Sequence, residues 1–448
     1  MTTNVNHKFH RVREEAERVL AGNDRGEWTI PAAGIYPHQW LWDSCFIAIG
    51  LRHVNPERAA TELRSLLRGQ WSNGMLPHMI FTPQRRWLDD ARLWQSASIE
   101  QAPRQFATSG ITQPPLVAEA AKAVATSLSP AKRQQFLAEI VPAIVRYHEW
   151  LYRERDQRAG GLVALFHPWE TGLDNSPAWI EELHRVHTPL WVRLADLVRI
   201  DRWFGILRRD TRRVPADERM KTSDLLRLYH AAIDLRRQGF DPAAILANPH
   251  RHFIVESLSF NSILIRNNAI LTELAALARL YIPDWLQERF ELARRSLSSL
   301  CDPETGVCYH RDYDSGVVED EPTISIFLPF YSGALTQQQA KQLVRQLKRT
   351  DTYWTDYPVP TVPLTSPYFS TKRYWQGPSW LNTNWLIVDG LRRYGFESEA
   401  RHIRERSLRM VAKSGMREYF SPLSGHGHGA RDFSWTAALT LDLLEQTD

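Results

Sequence analysis

"ESLSFNSILIRNNAILTELAALARLY", residues 256–281, is apolar over most of a helical circumference. A helix without a continuous polar face is expected to be buried on all sides. The next stretch, "IPDWLQERFELARRSLSSL" (282–300), is amphipathic. A fully buried helix followed by a half-exposed one suggests paired helices, and the pattern extends in both directions. "NPERAATELRSLLRGQW" (55–71) opens with Asn55 at the N-cap and Pro56 at the first helical position, the preferred start chemistry. Ala60, Leu63, Leu66 and Leu67 then recur at helical spacing. "SPAKRQQFLAEIVPAIVRYHEWLYRER" (129–155) repeats that start with Ser129 and Pro130. "LTQQQAKQLVRQLKR" (335–349), "FESEARHIRERSLRMVAKSG" (396–415) and "FSWTAALTLDLLEQ" (433–446) read as further amphipathic helices. Roughly twelve helical segments are expected in all. Strand signals are few; "DPETGVCYHRDYDSG" (302–316) reads as a small hairpin, with turns at Glu304–Gly306 and Asp314–Gly316.

Four long loops interrupt the helices, at 34–44, 71–115, 160–180 and 352–382, and long loops in a compact domain are usually functional. No linker or low-complexity stretch divides the 448 residues, so one all-helical domain over 1–448 is the economical reading. Residues 180–253 differ, with five Arg between 202 and 213. They read either as a solvated helix end and loop or as a lid-like excursion offering Arg to an anionic part of a ligand.

Composition removes several classes. The net charge of +4 is spread along the chain, whereas a nucleic-acid partner calls for a concentrated basic face. The N-terminus lacks the apolar core of a signal peptide, and no run approaches the ~20 apolar residues of a membrane span. A soluble, cytoplasmic protein with no membrane partner is expected. Three cysteines, an odd and low number, argue against a disulfide framework, although Cys301 and Cys308 could meet across the hairpin.

Seventeen tryptophans stand out, many of them in loops. Aromatics mix with acids or amides in four clusters. "GIYPHQWLWDSCF" (34–46) holds Tyr36, Trp40, Trp42 and Asp43. "QWSNGMLPHMIF" (70–81) and "SGITQPP" (109–115) hold Trp71, Asn73, His78 and Gln113. "HPWETGLDNSPAW" (167–179) sets Glu170 and Asp174 between Trp169 and Trp179, among helix breakers. "YFSTKRYWQGPSWLNTNW" (368–385) and "GMREYFSPLSGHGHGARDFSW" (415–435) supply Tyr374, Trp375, Trp380, Glu418 and Trp435.

Flat aromatic faces cover the C–H surface of a pyranose, while Asp, Asn and Gln bond its hydroxyls. A single Trp is more often a core residue; repeated aromatics beside acids in loops favour a small carbohydrate as partner. Cleaving a glycosidic bond takes two carboxyl groups, one protonated to assist the leaving oxygen and one to attack or to activate water. Burial beside Trp and Pro raises a carboxyl pKa, as a general acid requires. Glu170 and Asp174 both qualify, with a slight intrinsic preference for Glu170. His426 and His428 in "GHGHG" lack a third ligand nearby, so a metal site is weakly supported. His38, His78 and His167 read as structural. No nucleophile elbow, phosphate loop or dinucleotide fingerprint is present.

At these motifs the chain resembles glycoside hydrolase family 63, in its small bacterial branch of mannosylglycerate and glucosylglycerate hydrolases. "YPHQWLWDSCFIAIGL", "QWSNGMLPHMIF", "SGITQPP", "HPWETGLDNSPAW", "TSPYF…RYWQGPSW" and "EYFSPLSG…SWTAA" occur in the family's order across most of the chain. The resemblance implies an (α/α)6 barrel with active-site loops at one end, and an inverting α-glycosidase needing neither metal nor organic cofactor. It makes Asp174, in the segment from Gly172 to Ser176, the acid and Glu418 the base, and moves Glu170 to a supporting role. Tyr36, Trp40, Trp42, Asp43, Gln113, Trp169, Gly172, Tyr374, Trp375, Trp380 and Trp435 fall on positions of the sugar-binding wall. Inversion requires room for water, with the carboxyl groups roughly 6.5–9.5 Å apart. Relatives acting on glyceric acid glycosides carry an Arg-Pro-x-Asp-x-x-Tyr-like stretch that holds the glycerate carboxylate. Here the region reads "RRVPADERMKTSDLLRLY" (212–229), with Arg213 standing in for the Arg, Val214 intervening before Pro215, and Met220 close to the expected Tyr. The sugar site looks retained and the leaving-group site altered.

The expected substrate is a small α-glucoside or α-mannoside such as glucosylglycerate or mannosylglycerate. The alternatives are trehalose or a kojibiose-type disaccharide, and, in another class, a non-catalytic sugar-binding protein. An epimerase would need paired His bases that the spacing does not suggest. Self-association is left open.

Overall fold

The computed structural model describes residues 2–83, 88–185, 210–251, 253–302, 304–319 and 321–446. Six helices close a ring in chain order: Leu41–Leu51, Val117–Ser127, Leu258–Ala278, the short Pro329–Ser332, Leu381–Arg393 and Ser434–Glu445, each packed on the next and the last on the first. Thr2–Asn23 precedes them, and between them in sequence run Pro56–Leu67, Pro130–Trp150, Asp284–Ser296, Gln337–Leu347 and Glu397–Ser414. These alternate helices form the outer layer. Pro56–Leu67 lies on Leu41–Leu51 and Val117–Ser127, Pro130–Trp150 on Val117–Ser127 and Leu258–Ala278, and Thr2–Asn23 on Ser434–Glu445. The architecture is an (α/α)6 toroid.

The two layers follow from side-chain pattern. All eleven residues of Leu41–Leu51 are buried, as are fourteen residues of Leu258–Ala278. Outer helices bury one stripe; Gln337–Leu347 buries only Ala340, Leu343, Val344 and Leu347. Ser434–Glu445 corrects the expectation of an amphipathic helix, because ten of its residues are buried. Its Thr and Ser hydroxyls bond backbone carbonyls, Thr436 to Arg417 and Ser434 to Ile30, so these polar residues sit inside without cost. Caps behave as their chemistry dictates. The Asn55 side chain accepts from Arg58 N, and Thr336 forms a capping box with Gln339. Ser129, by contrast, makes no side-chain cap bond.

Among the described residues, three small sheets stitch the loops together. The expected hairpin is present: His310–Asp312 pairs with Val318–Glu319 and with Val255–Glu256. One turn earlier, Cys301 and Cys308 are antiparallel partners and are disulfide-bonded, contrary to the compositional expectation. The Asp302 carboxylate accepts from Glu304 N and Thr305 N, folding the chain so that the two cysteines face each other. Cys45 is free and buried. Within residues 180–253, helices Pro177–Arg185, Thr222–Arg237 and Pro242–Ala247 are described; the arginines at 202, 208 and 209 lie outside the described residues. No described helix is long and apolar enough to cross a membrane.

Candidate active site

A cavity of about 540 Å³ opens where the loops reach the N-terminal ends of the inner helices. Trp40 is the N-cap of helix Leu41–Leu51, held by pairing with Met79 in a two-residue strand. That placement turns Trp42 and Asp43, in the first helical turn, into the cavity. Gln113 precedes helix Val117–Ser127, and its carbonyl accepts from the Tyr147 hydroxyl. Trp435 begins the last inner helix and also lines the cavity.

The rigid stretch 167–179 is a single 3-10 turn, Pro168–Thr171, leading into helix Pro177–Arg185. Glu170 faces away from the cavity. Its carboxylate is fully buried and takes two bonds from Arg155 (2.8 and 3.0 Å) and one each from Thr112 N and Phe166 N. Glu170 is thus a strut under the loop. Asp174, on the other side, lines the cavity. Across the gap the two loops are tied together: Trp375 N donates to the Asn175 side chain, Gln376 Nε2 to the Asn175 carbonyl, and the Tyr374 hydroxyl to Asp174 at 3.3 Å. Burial pushes Asp174 up to about 7, against the lowering pull of Arg219 and Tyr374. Asp43 is also raised well above its ordinary value, by burial and by the nearby Glu418 and Asp174 charges.

Glu418 reaches the same cavity from a hairpin that sequence reading did not identify, Arg417–Phe420 with Gly427–Arg431. The register slips between Arg417 and Tyr419, and a bulge of this kind re-aims the intervening side chain. The glycines of "GHGHG" find their reason here. Gly429 has φ +67°, and a Cβ on it would meet Glu418 Oε2 at 2.5 Å. His428 bonds Glu218 through Nδ1 at 2.9 Å, and no described residues cluster as metal ligands. Short turn-forming residues between Phe420 and Gly427 were the available signal for this hairpin.

The cavity wall is aromatic. Trp42 stands edge-on to Trp435 at 5.3 Å and tilted to Trp375 at 6.2 Å. Trp375 stacks on Trp380 at 3.8 Å between centroids; Trp380 itself is a second layer behind the lining. Trp169 stacks on His78, whose pKa burial lowers well below its ordinary value. Gly172 touches the wall closely: with φ +74°, a Cβ there would meet Trp42 at 2.5 Å. Tyr36 also lines the cavity.

Arg213 is elsewhere. Its guanidinium donates to the Ala33 carbonyl at 3.1 Å, outside the lining. Arg219, by contrast, lines the cavity and lies 3.0 and 3.1 Å from the two Glu418 oxygens. Val214, beside Arg213, is buried. The neighbouring wall is formed by Met220, Thr222, Leu225, Leu226 and Tyr229.

The chain is similar to known proteins over most of its length. Residues 36–436 match the model of the "Mannosylglycerate hydrolase MGH1-like glycoside hydrolase domain". The mannosylglycerate hydrolase of Thermus thermophilus is 38% identical, over 95% of this chain and 99% of its own. The glucosylglycerate hydrolase of Mycolicibacterium hassiacum is 31% identical, over 96% of each. A crystal structure of the family 63 mannosylglycerate hydrolase from Thermus thermophilus, in complex with Tris and D-glycerate, superposes with a TM-score of 0.86, covering 97% of this chain and all of that one. The chain belongs to the mannosylglycerate hydrolase-like branch of glycoside hydrolase family 63.

Proposed function

We propose that this glycoside hydrolase cleaves a small α-glucoside or α-mannoside by single displacement, acting as one catalytic domain over its whole length, with mannosylglycerate and glucosylglycerate as first candidates. Asp174 protonates the departing oxygen, and Glu418 takes a proton from the water that attacks the anomeric carbon. One observation carries the reading: two carboxyls brought together from distant loops line one aromatic cavity, and burial raises Asp174 to about 7, the range of a general acid. Trp42, Trp375 and Trp435 supply faces for the sugar, with Asp43 and Gln113 to take its hydroxyls. Trp40 Nε1, Gln113 Oε1 and Trp435 Nε1, all on lining residues, are buried without a partner among the described residues, which supports a polyhydroxylated ligand. Trp380 supports the wall from behind, and Gly172 lets Trp42 approach its loop closely.

Residues 210–229 cover the leaving-group side. Their lining members combine the apolar Met220, Leu225 and Leu226 with Asp210, Arg219, Thr222 and Tyr229, and Met220 stands close to the expected glycerate-type Tyr. A panel of glucosylglycerate, mannosylglycerate, trehalose and kojibiose, read by proton NMR of the first-formed sugar, tests the proposal. A newly released β-anomer from one of the glycerate glycosides is expected. A released α-anomer refutes the single displacement, and cleavage of the disaccharides alone refutes the candidate substrates.

A further inference from the structure

Arg219 has no counterpart among the residues expected from sequence. It is 7% exposed, in a cavity also lined by Asp43, Asp174, Asp210 and Glu418. Its Nη1 spans both oxygens of Glu418, its Nη2 donates to the Tyr36 hydroxyl, and its Nε donates to Asp210 at 3.2 Å. The Tyr36 hydroxyl in turn donates to Glu418 Oε1 at 2.8 Å, closing a triangle. Ala430 N completes the cradle at Oε2, also at 2.8 Å. The guanidinium carbon sits 4.5 Å from the Tyr374 ring centroid, and Tyr374 is the residue that bonds Asp174.

We propose that Arg219 is a positioning residue for both carboxyls of the displacement: it fixes Glu418 as an oriented anion directly and through Tyr36, and it reaches Asp174 through Tyr374. The inference rests on Glu418 serving as base. A carboxylate has about four acceptor positions. Three donor groups hold this one through four contacts, two on each oxygen, so it keeps one orientation. Arg rather than Lys suits the task, because a planar fork reaches Glu418, Tyr36 and Asp210 together. Arg219 sits at the end of the 3-10 turn Ala216–Glu218. That turn is pinned to the Glu418 hairpin by Glu218, whose carboxylate accepts from Gly429 N at 2.8 Å and pairs with His428. The same hairpin therefore carries the base and anchors the residue that aligns it.

The test uses full-length R219K, R219Q and R219G, with E418Q as reference. R219K and R219Q should lose kcat by roughly 100-fold or more, as expected when a general base is misplaced. KM should change much less than kcat, because Trp42, Trp375 and Trp435 keep their places on the sugar wall. Added guanidinium chloride should restore part of the R219G rate. Arg219 lowers the Asp174 pKa, while Glu418 opposes it and Tyr374 reinforces it. Asp43 is the other lining carboxyl that senses Asp174. Removing the Arg219 charge should therefore move the basic limb of the kcat/KM profile to higher pH. R219Q with parental kcat and an unmoved basic limb overturns the proposal while E418Q remains inactive. If E418Q itself keeps parental turnover, the assignment of the base fails instead. R219K reports on alignment with charge retained, and guanidinium rescue separates a local role from misfolding; an R219G protein that is inactive, folded and not rescued by guanidinium also overturns it.

Discussion

Replacing Asp174 by Asn removes the proposed proton donor and also relieves a cost that the fold carries. Burial raises this carboxyl from 3.8 to about 7, a preference for the neutral form of about 4 kcal/mol. The unfolded chain ionises near 3.8, so the native state binds the extra proton between that value and about 7. For a group raised in the folded state, stability is fully present at low pH and is lost as pH rises through the folded value. The amide of D174N does not ionise, and its oxygen can still accept from Tyr374. The variant and its parent should therefore be equally stable near pH 4 apart from a constant offset. The gap should widen in favour of D174N up to about pH 7 and then level off. Asp174 is partly open to the cavity, where water screens the charge, so a gap of about 2–4 kcal/mol is expected. Urea unfolding of both proteins from pH 4.5 to 8.5 measures it. The same ionisation should appear in the parent's kcat/KM as a basic limb near 7, and D174N should have little turnover at any pH. Parallel stability curves for the two proteins, or a parent rate that is flat through pH 8, would refute the reasoning.

Two further substitutions separate scaffolding from chemistry. Glu170→Gln leaves the Arg155 guanidinium buried against half its partner, and breaking such a pair costs about 3–5 kcal/mol; a large drop in melting temperature, with the basic limb of the remaining activity unmoved, is the expected result. Gly172→Ala adds a methyl at φ +74° that would meet the Trp42 ring. Strain of about 1–3 kcal/mol together with a raised KM should follow, measured by thermal unfolding and steady-state kinetics.

The sequence by itself determined the helices and where the chemistry would gather. A segment apolar all round, such as 256–281, can only be buried, and periodic segments with Asn55–Pro56 or Thr336–Gln339 at their starts set their own ends. The aromatic loops announced a sugar, because Trp and Asp recur there in positions that no helix face requires. Resemblance to family 63 selected Asp174 over Glu170, which intrinsic acidity alone slightly favoured. In the folded chain Arg155 holds Glu170 from below, while Asp174 lines the cavity.

Tertiary structure decided what depends on partners remote in sequence. The Glu418 hairpin was hidden because its short strands are set by a bulge and by pairing of Phe420 with Ser379, with no local alternation to mark it. Cys301 and Cys308 are joined because a turn made by Asp302 brings them face to face, which composition cannot report. Arg213 and Arg219 are alike in sequence, six positions apart in an Arg-rich stretch. Only the folded chain sends one to the carbonyl of Ala33 and the other to Glu418. Helices follow from contacts a few residues apart, whereas the charge environment of a carboxyl is fixed by whatever the whole chain packs around it.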